Sequence, residues 1–427
     1  MIIYVVKPGD TLSKISQQFN VPVARIVADN ALSNKDTLVV GQSLLIRPIS
    51  FNYTVQSNET LTEIARRFNT TVNNILAFNP QITSPNDIYP GLTIRIDYDN
   101  PNKRDIEVNG FVYPEVNLNL LRRVLPFLTY LSIFSYQITN EGLLNDINDT
   151  TLITEAYRYN VAPVMTVTNV SLEEQGTFST ELIHNILNDE QKRNTLLNDI
   201  VRVANLKNYF AICIDFEYLY PSDREAYNQF LRMARDRFEP LGYMLLTAVA
   251  PKNRRDQPGL LYEAHDYPAH GEIADHVIIM TYEWGYIFGP ALPVAPINEV
   301  EKVIQYAITD IPHYKILMGI PNYGYDFKVP FVEGSMARLI SNPEAIDIAI
   351  AKNAGIEFNE TAQSPFFRYI ENGQHHEVHF EDPRSITAKF RLVEKYDLRG
   401  VSYWTLMDPF PQNWLLLSYY FNIVKIL

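Results

Sequence analysis

A single cysteine in 427 residues rules out an intrachain disulfide framework and any cluster of thiolate metal ligands, so Cys213 reads as a small buried hydrophobe. Histidine is sparse too. The eight that occur, His375, His376 and His379 among them, show no paired spacing on one helix face, and no metal or cofactor is expected. Positive charge is in deficit: 36 Lys and Arg stand against 49 Asp and Glu, a formal net charge of -13. That balance argues against nucleic acid or an anionic membrane surface as partner and suits a neutral or modestly charged ligand. No apolar run has membrane-spanning length. Met1 to Lys7 lacks a basic segment ahead of a sustained apolar stretch, so no conventional secretion signal is expected.

What is present is enough hydrophobic residue, 46%, to fill a large core, in a chain too long for one ordinary domain. One large domain and something smaller are expected. The smaller part is an internal repeat: Tyr4 answers Tyr53, Thr11-Leu12 answers Thr60-Leu61, Phe19-Asn20 answers Phe68-Asn69, Ile26 answers Ile75 and Asn30 answers Asn79. The offset grows by one before Gly41, which answers Gly91 and places a length change in the preceding loop. Each copy reads as strand, helix, helix, strand, over Tyr4 to Val6, Leu12 to Phe19, Ala24 to Asp29 and Ser43 to Ile46 in the first. Thr60 with Glu63 has capping-box spacing.

The run Tyr4 to Leu12 (Tyr-Val-Val-Lys-Pro-Gly-Asp-Thr-Leu), with Asn30 and Gly41, resembles the LysM module, at 1–48 and again at 51–97. The second copy departs in having Asn58 and Glu59 where the first has Gly9 and Asp10. The resemblance implies a shallow groove for N-acetylglucosamine-containing glycans. Its candidate residues are Gly9, Asp10, Thr11, Asn30, Ala31 and Leu32 in the first module, and Asn58, Glu59, Thr60, Asn79, Pro80 and Gln81 in the second. Helix capping is the competing reading for Asp10, Thr11 and Thr60. A short polar connection, Asp97 to Arg104, leads to the rest and is expected to keep the modules near the large domain.

From there apolar runs alternate with helical patterns at 106–113, 129–135, 161–168, 211–217, 243–249, 276–282, 315–321 and 399–405. Eight such runs predict an α/β fold, a (β/α)8 TIM barrel over 104–427. An inserted α+β element is expected between strands seven and eight, at about 328–384, with a hairpin turning at Asn372-Gly373. The fourth run, Ala-Ile-Cys-Ile-Asp-Phe-Glu at 211–217, sets Cys213, Asp215 and Glu217 on one face and Ile212, Ile214 and Phe216 on the other. Two carboxylates at the carboxyl end of a barrel strand sit where such folds keep their chemistry. A buried ion pair with Arg or Lys is the competing reading. A helix capped by Ser222 and Glu225 is expected to follow.

Aromatics crowd the later strand ends, at Met280-Thr281-Tyr282-Glu283-Trp284, Asn322-Tyr323-Gly324-Tyr325 and Tyr403-Trp404. Their faces suit sugar rings, although ordinary packing also places aromatics at barrel rims. Together with Asp215-Phe216-Glu217 these motifs resemble the family 18 glycoside hydrolases, with Cys213 where that family has a further Asp. Paired with LysM modules, the chain is similar to the branch of that family that lyses spore-cortex fragments. The resemblance implies a retaining, substrate-assisted β-N-acetylglucosaminidase of peptidoglycan, associated with the spore; a monomer is expected. It makes Glu217 the acid, Asp215 the residue orienting the acetamido group, and Tyr282 a donor to the acetamido oxygen. Trp404 becomes the floor beneath the sugar, with Glu283, Asn322 and Tyr323 as further sugar contacts. Two alternatives stay open: a chitinase or chitooligosaccharide hydrolase, and a lectin-like barrel that binds glycan without cleaving it.

Overall fold

The computed structural model describes all residues except 34–36, 48–50, 69, 97–102 and 172–175. The expected end of the first module at Pro48, Asn69 of the repeat and most of the Asp97 to Arg104 connection therefore lie outside the described residues.

All eight expected runs form strands: β1 (Arg104–Val112), β2 (Tyr130–Gln137), β3 (Ala162–Thr168), β4 (Ala211–Asp215), β5 (Met244–Val249), β6 (His276–Ile279), β7 (Ile316–Pro321) and β8 (Gly400–Trp404). Each pairs in parallel with the next, and β8 pairs with β1 from Gly400↔Glu107 to Tyr403↔Gly110, which closes the barrel. The two-residue period sorts β4 as the sequence implies. Ala211 and Cys213 join the interior cluster with Leu246, Ile278 and Leu317, while Ile212, Ile214 and Phe216 pack outward with the helices.

The insertion is a five-stranded antiparallel sheet that opens at Gly324–Val329, directly after β7, and carries one helix, Asn342–Ala351. Its hairpin pairs Ser364–Glu371 with Gln374–His379, turning at Asn372 and Gly373, both at positive φ. After β4 the Ser222 capping box does not form. Pro221 opens a 3-10 turn, the helix runs Arg224–Phe238 without a side-chain cap, and Asp223 bonds His184 and Asn188 instead.

Each repeat folds as one two-stranded sheet with two helices. The first helix spans Leu12–Phe19, capped by Thr11, and the Thr60/Glu63 box caps its counterpart, Leu61–Arg67. The modules are docked on the barrel and on each other. Asp29 of the first receives Arg47 at 2.7 Å and Arg95 of the second at 3.4 Å, and both guanidinium groups lie over the Phe78 ring. Gly41, at φ +85°, approaches the insertion so closely that a Cβ there would lie 1.8 Å from the Ile356 carbonyl oxygen. Beside that contact the Ile356 N–H donates to Val40 O at 2.9 Å, and Gln412 Nε2 donates to Asn30 Oδ1 at 2.6 Å.

Candidate active site

The carboxyl ends of the strands surround a cleft of about 920 Å³, to which Tyr113, Asp215, Glu217, Tyr282, Glu283 and Trp404 all contribute. β4 delivers the two acids by different means. Asp215 is its last residue, in register with Thr168 of β3, and its side chain is buried with Oδ1 lacking any hydrogen-bond partner. Glu217 lies two residues beyond the ladder and is partly exposed to the cleft. Tyr218 follows at φ +56°, turning the chain away toward the helix.

Neither acid has an Arg or Lys partner among the described residues. Contrast the opposite end of the barrel, where buried Glu107 meets His276 at 2.7 Å, the Tyr130 hydroxyl at 2.9 Å and Arg399. Those partners overcome its burial and bring Glu107 down to about 2. The site pair moves the other way. Burial pushes Asp215 from an ordinary 3.8 up to about 7. Burial first, then the charges of Asp215 and Glu283, holds Glu217 well above the usual carboxylate range. A carboxyl that keeps its proton at neutral pH beside a second acid is equipped to donate that proton. Cys213 sits one pleat below Asp215, fully buried, and burial keeps it a neutral thiol.

Trp404 stands among Phe134, Phe111 and Tyr113, ring centroids 4.8, 5.4 and 6.0 Å away, all edge-on. Edge contacts at its margins fix the indole and leave a face for a ligand. Tyr282 is buried to 8% exposure, and burial holds its hydroxyl protonated. Glu283, at φ +70°, accepts hydrogen bonds from the hydroxyls of Tyr323 and, at 3.0 Å, Tyr325. Tyr323 thus stands behind Glu283 rather than in the cleft wall. The amide donor of Asn322 is likewise spent on scaffold: its Nδ2 donates to Thr405 O at 2.8 Å and Asp408 O at 2.9 Å, bracing the turn after β8, while its buried Oδ1 has no hydrogen-bond partner among the described residues.

Sequence reasoning passed over several cleft aromatics, namely Tyr113, Phe178, Tyr218, Tyr262 and Tyr286. Tyr113 could have been found, since it ends the first predicted strand; Phe178 comes from a two-residue strand and the others from loops, none with a periodic signal. The cleft's charge was not foreseen either. Glu115, Asp146, Asp215, Glu217 and Glu283 line it, and among its described residues there is no Lys, Arg or His.

In the modules, Gly9 and Asn58 lie at exposed turns with positive φ. The Asp10 carboxylate accepts from Tyr4 Oη and Lys7 N, each at 2.7 Å, and Glu59 does the same with Tyr53 and Gln56. Thr11 and Thr60 cap helices. Asn30 ties its helix to the closing strand, accepting from Leu45 N at 2.6 Å and donating to Ile26 O at 2.8 Å, and Asn79 repeats the pattern with Arg95 and Ile75. Ala31, Leu32 and Pro80 border crevices against the barrel, and Gln81 is exposed. Side chains here mostly hold the loops, so a groove would be offered largely by backbone.

The family model for the glycosyl hydrolases of family 18 matches residues 175–408, and the LysM domain model matches 4–47 and 53–97. A cortical fragment-lytic enzyme of Bacillus subtilis (strain 168) is 49% identical over 433 residues, 100% of this chain and 99% of the relative. Another from Bacillus anthracis is 40% identical over 99% of both chains. The crystal structure of the Bacillus megaterium QM B1551 spore cortex-lytic enzyme SleL superposes with a TM-score of 0.84 at 38% identity, covering 100% of this chain and 99% of that one.

Proposed function

The chain belongs to the glycosyl hydrolases of family 18, and we propose that it hydrolyses N-acetylglucosaminyl bonds of peptidoglycan in spore-cortex fragments, held at the glycan by its two LysM modules. One observation carries the chemistry: Asp215 and Glu217 share one face at the end of β4, without cationic partners among the described residues, with Tyr282 and Trp404 on the same cleft. Glu217 gives its proton to the glycosidic oxygen as that bond breaks, and the substrate's own acetamido oxygen attacks the anomeric carbon to form an oxazolinium ion. The unpartnered Oδ1 of Asp215 accepts the acetamido N–H, and the Tyr282 hydroxyl donates to the acetamido oxygen. Water then opens the ring, yielding its proton to Glu217, and the β configuration is retained.

Chitin is the second substrate reading, favoured by a cleft whose described lining residues offer no cation to a sugar carboxylate. Mass spectrometry of products from cortex fragments, vegetative peptidoglycan and chitin oligomers separates the two. The expected result is new reducing-end N-acetylglucosamine from cortex fragments, absent with Glu217→Gln. Cleavage confined to chitin oligomers would reassign the substrate; glycan binding with no cleavage of any of the three would leave a lectin.

A further inference from the structure

The β4 ladder stops at Ile214↔Thr247 on the β5 side and at Asp215↔Thr168 on the β3 side. Phe216 and Glu217, the two residues that set the acid's position, therefore have no neighbouring strand. Two buried side chains take the strands' place. Asn169, next after β3 and fully buried, accepts the Glu217 N–H on Oδ1 at 2.9 Å and donates from Nδ2 to Glu217 O at 2.9 Å and to Ser179 O at 3.1 Å. It pairs with Glu217 as a ladder residue would, using an amide side chain instead of a peptide. On the other flank His265, also fully buried, accepts the Ala250 N–H on Nδ1 at 2.9 Å. That contact leaves the ring proton on Nε2, which donates to Phe216 O at 2.9 Å. The ring thus bridges the end of β5 to the peptide just before the acid. Burial lowers His265 to about 4, so the bridge keeps one tautomer through the neutral range.

We propose that Asn169 and His265 are positioning residues for the catalytic acid: they extend the barrel sheet by side chain so that Glu217 is fixed beyond the last true ladder pair. The assignment rests on the reading of Glu217 as the acid. Backbone misplacement of an acid by an ångström costs on the order of 100-fold in rate. Asn169→Ala and His265→Ala should therefore lower kcat on cortex fragments roughly 10- to 100-fold with KM changed less than about threefold. The amide of His265→Gln can accept from Ala250 and donate to Phe216, so that variant should recover most of kcat. A role in stability alone predicts lower Tm with kcat per folded molecule unchanged, and that result overturns the proposal. So does equal loss in His265→Gln and His265→Ala. If the alanine variants do not fold, Asn169→Asp decides, because it keeps the acceptor for Glu217 N–H and loses both donations: a wild-type kcat and pH profile there refutes the clamp. Glu217→Gln run in parallel separates the two ideas, since its survival would sink the assignment of the acid rather than the clamp.

Discussion

Asp215 should be held in place against the stability of the fold, and Asp215→Asn measures by how much. The carboxyl is buried, with one oxygen unpartnered, and is raised from 3.8 to about 7 in the folded chain. At about 1.4 kcal/mol per pH unit the difference corresponds to roughly 4 kcal/mol of destabilisation when the group is ionised. The sign follows from which state holds the proton more tightly. Here the folded state does, so the penalty is absent below pH 3.8, grows as pH rises, and is complete above about 7. Asparagine removes the charge and keeps the shape, while its buried amide costs about 1–3 kcal/mol of its own. A net gain of about 1–3 kcal/mol at pH 8 should remain, raising Tm by roughly 2–6 °C. Calorimetric scans at pH 5, 6, 7 and 8 should show the variant's advantage growing with pH and levelling above about 7, with glycan cleavage lost throughout. An advantage independent of pH, or a variant less stable than wild type at pH 8, would refute the reasoning.

Other consequences are as direct. Cys213→Asp sets a second carboxyl one pleat below Asp215, and its like charge should move the acidic limb of the kcat profile upward by about one pH unit or more, an effect absent if the two groups do not interact. Gly41→Ala puts a Cβ onto the Ile356 carbonyl at a φ of +85°, and should undock the first module at a cost of about 1–3 kcal/mol. Hydrogen exchange at Ile356 N–H reports it; unchanged protection would mean the contact is dispensable. With acids and no cation among its described lining residues, the cleft should disfavour fragments bearing a free sugar carboxylate near the scissile bond against their amidated counterparts. The expected difference is about tenfold in kcat/KM at low salt, shrinking in 0.5 M NaCl, and equal rates for the two at low salt would contradict it.

Docking changes how the tether must be tested. Phe410, Trp414 and Leu415 of the barrel face Ala31, Phe78 and Pro80 of the modules across a shared crevice. Deleting residues 1–97 would expose that surface as well as remove the proposed glycan tether, so loss of activity alone would not separate the two effects. Nothing in either sequence segment announced the contact, because a surface that packs against another domain has the periodicity of any amphipathic helix.

The barrel itself was legible because its strands are long, doubly buried and separated by amphipathic helices, so period and spacing agree. The insertion's hairpin was legible through Asn372-Gly373, whose backbone takes the positive φ that few other pairs accept. What escaped was satisfaction of backbone groups at a distance. Asn30, Asn79 and Asn322 looked like polar residues free to meet a sugar, yet each meets main chain 15 or more residues away. Asparagine carries a donor and an acceptor on one rigid amide, the same pair a peptide offers, and so it can close a sheet or a turn wherever a strand runs out. The end of β4 shows the same substitution in the cleft. Alternation placed Asp215 and Glu217 on one face, and it could do so only by treating 211–217 as one continuous strand; the ladder in fact ends at Asp215, and the geometry survives two residues further because Asn169 and His265 supply the missing hydrogen bonds. Local pattern therefore put both carboxylates on one face, while the side chains that hold Glu217 came from β3's end and the loop after β5, where only the folded barrel brings them together.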